Sequence, residues 1–99
     1  MSAGRQRYLV AYDIRDDKRL RQVHKTIKGY GWAMQYSVFI CDLDRMEYFA
    51  LMGDLGAAIH HGLDSVAIIA LGDPRERGRS CFEFLGVAPI LPTAGSIVI

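Results

Sequence analysis

Apolar positions along this chain fall into short strand-like runs separated by segments with three- and four-residue spacing. The first run, Tyr8-Leu-Val-Ala-Tyr-Asp-Ile14, carries apolar side chains at both alternating sets of positions, which predicts a central strand covered on two sides. It closes on Asp13. Burying an unpaired carboxylate in a strand interior is costly, so this acid is expected at the open end, facing solvent, a metal or another subunit. The plainer alternative is a strand-end acid that caps the following turn or pairs with Arg15. Asp16-Asp17 then supply a cap and a negative first turn for a helix with the apolar stripe Leu20, Val23, His24, Ile27 and Tyr30. Gly29 and Gly31 are expected to stop it, Gly31 as a left-handed C-cap.

From Trp32 to Leu43, aromatic and β-branched residues predict strand. The run is too long for an average strand, so either one strand bends at a bulge near residues 35–37 or two strands meet there. Asp44-Arg-Met-Glu47 has capping-box spacing and opens a second helix with the stripe Tyr48 or Phe49, Met52, Leu55 or Gly56, and Ile59. His60 and His61 close it, where imidazoles complement the helix dipole without any metal. Ser65-Val-Ala-Ile-Ile-Ala-Leu71 reads as another two-faced strand. The polar stretch from Gly72 to Ser80, with three arginines, reads as a solvated hairpin tip. After Cys81 come a short apolar run and an apolar terminal strand. Pro89 and Pro92 direct this section to an edge, its own sheet's or a partner's.

The order is βαββαβ with an extension. It predicts an α+β ferredoxin-like plait, an antiparallel sheet with both helices on one face, over residues 8–99 after a flexible leader at 1–7. Hydrophobic residues make up 51% of the chain, high for a small domain, so a second subunit is expected over part of the surface. No apolar run approaches the roughly 20 residues of a membrane span, and the leader has no apolar core of a secretory signal. Cys41 and Cys81 lack CxxC partners and fit a reducing cytoplasm as free, partly buried thiols. Net charge is only +1, but six of the twelve basic residues (Arg15, Lys18, Arg19, Arg21, Lys25 and Lys28) lie together beside Asp13. Arg15, Lys18, Arg19 and Arg21 are candidates for phosphate contact along a nucleic acid. The plainer alternative is a solvated helix face.

Three stretches taken together, Tyr8–Ile14 followed by Asp16-Asp17-Lys18-Arg19, then Gln35-Tyr-Ser-Val-Phe39, then Ser65-Val-Ala-Ile-Ile69, resemble the small CRISPR-associated endoribonucleases. These are the dimeric partners of the CRISPR integrase in spacer acquisition. The resemblance implies a homodimer in which the C-terminal strand packs on the partner subunit. It also implies that Asp13 of each subunit meets its twin across the two-fold axis to hold Mg²⁺ as the catalytic and metal-binding acid. Tyr12, Ser37 and Phe39 match positions flanking that site. Trp32, Ala33 and Met34 stand where members often carry arginines.

On this reading the protein is a cytoplasmic, Mg²⁺-dependent endonuclease for RNA or double-stranded DNA, acting with the integrase in antiviral defence. A second reading makes it a non-catalytic, DNA-holding bridge between integrase copies. A third makes it a toxin-like ribonuclease of the same fold. The Gly-flanked aromatic signature of the RNA-recognition module is absent, which argues against bases stacking across the sheet.

Overall fold

The computed structural model describes residues 4–92 and has the order β1 (Gln6–Asp13), α1 (Asp17–Lys28), β2 (Trp32–Gln35), β3 (Val38–Leu43), α2 (Arg45–Ala58), β4 (Ser65–Gly72) and a short α3 (Arg77–Ser80). The sheet runs β2-β3-β1-β4 with every neighbouring pair antiparallel, the strand order of the ferredoxin-like plait. Tyr12, Val10, Phe39, Cys41 and Leu43 of the sheet pack with Val23 and Ile27 of α1 and Leu51 and Leu55 of α2. Both long helices therefore lie on one face.

Both helix starts follow their sequence signals. The Asp16 carboxylate accepts the Arg19 N–H. Asp44 and Glu47 form the full capping box, each side chain bonded to the other's backbone at 2.8 Å. In α2 the buried stripe centres on Leu51 and Leu55, with Tyr48, Met52 and Ile59 beside them, while Phe49 points outward. Helix α1 ends differently from expectation. Gly29 caps it in the right-handed region, and Gly31 is needed for space: a Cβ there would collide with the Ile40 carbonyl and stand 2.6 Å from Cys41 Sγ. The long run resolves into two strands, with a turn at Tyr36 and Ser37 and a register shift between Ala33 and Gln35.

Four further expectations are corrected. The strand starts inside the supposed leader, since Gln6 and Arg7 belong to β1 and Arg7 is 1% exposed. Its guanidinium makes a two-point ion pair with Asp42 (2.7 and 2.8 Å) and donates to the carbonyls of Gly78 and Pro92. The stretch after β4 is consequently no hairpin tip. It turns into α3 and packs Gly78 against the sheet end, with Pro74 buried just before it. Cys81 is exposed, while Cys41 is buried and its thiol is pushed up to about 12, chiefly by burial. Finally, β4 is covered on one side only, with Val66 and Ile68 toward the helices and Ala67 and Ile69 outward. The expected terminal strand lies beyond residue 92, outside the described residues, and residues 82–92 contain no strand.

The face of the sheet turned away from the helices is apolar. Paired in register across it are Trp32, Ile40, Leu9 and Ile69, and in the next row Val38, Ala11 and Ala67. Trp32 and Ile69 are each 49% exposed. Asp13, opposite Ser65, stands at the end of this face.

Candidate functional site

Alternation along β1 sends Tyr12 and Asp13 to opposite faces. Tyr12 is buried under α1, while Asp13 is exposed at the strand end, its Oδ2 3.6 Å from the Arg15 guanidinium. Both side chains of that pair are about two-thirds exposed, so the attraction is weak and either group is free to change partners. Among the described residues no cluster of three or more metal-ligating side chains occurs, so one subunit by itself offers no complete ligand set around Asp13.

The flanking residues are brought together around Tyr12. Its ring stacks beside Phe39 at 6.3 Å, its N–H donates to the Ser37 carbonyl at 3.1 Å, and its hydroxyl lies 2.9 Å from His24 Nδ1. His24 in turn meets the Phe39 ring edge-on at 5.3 Å. Burial, and secondarily the nearby Tyr36, hold the Tyr12 hydroxyl above its usual titration range, so it keeps its proton at neutral pH. The end of β1 is thus pinned to the β2–β3 turn by backbone and to α1 by side chain.

The four candidate cations do not behave alike. Arg15, Lys18 and Arg21 are exposed at the start of α1, near the Asp13 end of the sheet. Arg19 is instead committed to Asp64, through Nε to Oδ2 at 2.8 Å and Nη2 to Oδ1 at 3.1 Å. Asp64 also accepts the backbone N–H groups of Arg15 and His60 at 2.9 and 2.7 Å. This fully covered carboxylate is held well below the usual carboxylate range, mainly by the Arg19 hydrogen bonds and then by those backbone donors. It ties the β1–α1 loop to the segment entering β4. Nothing in the local pattern signals Asp64, because its partner is 45 residues away. His24 did carry a signal, as the one polar residue in an apolar helix stripe. His61 meets the Gly56 carbonyl through Nε2 at 2.8 Å, consistent with a role at the helix end.

Residues 6–78 match the family described as CRISPR associated protein Cas2. The chain belongs to the Cas2 family. It is 47% identical over 81 residues to a Rhodospirillum rubrum protein named CRISPR-associated endoribonuclease Cas2 1, covering 82% of this chain and 78% of that one. It is 40% identical over 89 residues to the CRISPR-associated endoribonuclease Cas2 of Geobacter sulfurreducens, covering 88% and 93%. Among solved structures it is similar to a hypothetical protein from Thermus thermophilus (TM-score 0.75, 33% identity, 88% of this chain and 98% of that chain). It is also similar to Streptococcus pyogenes Cas2 (TM-score 0.69, 33% identity, 81% and 99%). The Cas2 likeness thus spans the sheet, both long helices and the Asp13 end together. No helix among the described residues is long and apolar enough to cross a membrane.

Proposed function

We propose that this Cas2-family protein is a homodimeric, Mg²⁺-dependent endonuclease that cleaves phosphodiester bonds in RNA or duplex DNA and works beside a CRISPR integrase subunit. The observation that carries the reading is the apolar sheet face with Asp13 at its end. Trp32 and Ile69, each about half exposed beside the half-buried Leu9, are side chains a stable domain covers, and a second copy of the same face would cover them under two-fold symmetry. With the two-fold axis running along the strands, such a contact would bring the two copies of Asp13 to one end of one interface. The exposed, weakly engaged carboxylate suits a cation that keeps most of its waters and takes one or two carboxylates, as Mg²⁺ does.

With Mg²⁺ bound, the ion would supply charge neutralisation on the phosphoryl oxygens and a more acidic water. The protein's own groups do the holding. Arg15, Lys18 and Arg21 contact backbone phosphates, giving affinity without sequence preference. Arg19 fixes the β1–α1 loop through Asp64, and so the direction in which Arg15 is presented. Tyr12, Ser37 and Phe39 keep the end of β1, and with it Asp13, in a single position.

The test compares wild type with Asp13→Asn and with Arg15→Glu/Arg21→Glu in Mg²⁺-dependent cleavage and in duplex binding. Loss of cleavage with retained binding for Asp13→Asn supports the nuclease. Cleavage that survives Asp13→Asn sinks it. The second reading, a bridge that holds DNA without cutting it, is favoured by the lack of a metal-ligand cluster among one subunit's described residues. In a spacer-acquisition assay it predicts loss with the charge reversals and normal function with Asp13→Ala.

A further inference from the structure

Between the start of α1 and the β2–β3 turn lies a half-open cleft of about 240 Å³, lined by Tyr12, Leu20, Arg21, His24 and Tyr36. Pockets for whole drug-sized ligands run from about 300 Å³ upward, so this one takes a single ring-sized group. Its walls are mostly aromatic and aliphatic. Tyr36 sits at the turn and is 78% exposed, so it contributes little packing to the fold. Arg21 supplies a cation beside it.

The Tyr12–His24 contact adds a polar feature. If the hydroxyl donates to Nδ1, the imidazole proton is on Nε2 and free; if Nδ1–H donates to the hydroxyl, the phenolic O–H is free. Either arrangement leaves one unused donor on the pair of side chains lining the cleft.

The geometry points to a binding site for one unpaired nucleobase of a single-stranded DNA or RNA end. The base stacks on Tyr36, its ring carbonyl or ring nitrogen accepts the spare donor of the Tyr12–His24 pair, and its phosphate meets Arg21. A flat aromatic ring beside a guanidinium suits a base and its phosphate, whereas an aliphatic ligand would leave both the cation and the spare donor unused. The site lies on the helix side of β1, opposite the face that carries Asp13, so it grips the strand near the cleavage end without being part of the metal site. This inference rests on the nucleic-acid reading given above.

The test measures affinity for a blunt DNA duplex, for the same duplex with a short single-stranded overhang, and for a single-stranded RNA, each overhang or RNA carrying 2-aminopurine at its end. The overhang should tighten binding about five- to 150-fold, the range of one base stacked on an aromatic side chain. The 2-aminopurine fluorescence should be quenched. Tyr36→Ala should erase both effects and leave blunt-duplex affinity unchanged. Tyr36→Phe should keep both, and Tyr12→Phe should reduce the overhang increment. Quenching of the DNA end alone or of the RNA alone assigns the source of the base, and either supports the site. Blunt duplex bound with no overhang increment, or an increment that survives Tyr36→Ala, overturns it while sparing the nucleic-acid reading. No binding of any of the three overturns both.

Discussion

Arg19 and Asp64, 45 positions apart, form a two-point ion pair that joins the first turn of α1 to the segment entering β4. The pair joins the cationic end of α1 to the loop before β4, and it has a definite pH signature. Because the Asp64 carboxyl is held below its ordinary range, the stability it contributes is fully present above the unfolded pKa near 4 and is lost as pH falls toward the lowered folded value. Asp64→Asn should therefore melt lower than wild type at neutral pH, with the gap closing in strong acid. Thermal melts between pH 7 and pH 2 check this; a constant gap contradicts it.

The buried Arg7–Asp42 pair gives a larger effect. Removing one member leaves the other charge without its partner, a loss of about 3–5 kcal/mol. Arg7→Ala also strips donors from the Gly78 and Pro92 carbonyls. Urea unfolding should show a loss in that range. Protease should cut the segment after β4 in the variant before it cuts elsewhere.

Two helix-associated glycines should respond with opposite signs. Gly31→Ala drives a methyl into the Ile40 carbonyl and Cys41, and should cost about 1–3 kcal/mol or more. Gly53→Ala adds its methyl to open space in the middle of α2, and should gain about 0.5–1 kcal/mol. Chemical denaturation of the two variants checks both.

On the outward sheet face, Ile69→Asp places a charge where the proposed second copy sits. The variant should run as a monomer with an unchanged far-UV spectrum. Light scattering after size exclusion measures this, and a variant that stays dimeric excludes the face as the contact.

If Lys18 contacts a phosphate in each subunit, Lys18→Ala should weaken duplex binding evenly across sequences. It should also reduce the log–log salt slope by about 1.8, two contacts at about 0.9 each. An unchanged slope makes Lys18 part of a solvated face.

Much of the plait was legible in the sequence because its signals are local. The capping acids Asp16 and Asp44 mark their helices within three residues, and the runs at Tyr8 and Ser65 carry their own strand preference. Local signals also misled. The glycine at position 31 reads as a helix stop, yet what demands it is the β3 backbone passing close by. Apolar residues at both sets of positions in β4 suggested two covered faces, but one chain has helices for only one of them.

Hydrophobic period, capping and strand preference act over a few residues, so they specify the βαββαβ order of the main elements, the two helix starts and an acid at the end of the leading strand. Three arrangements come from long-range folding: Arg19 bound to Asp64, Arg7 inside the protein anchoring the chain after β4, and Tyr12 against His24 beside an open cleft. Those contacts join residues 12 to 85 positions apart, and what a charged or polar side chain does depends on which partner folding brings within about 3 Å.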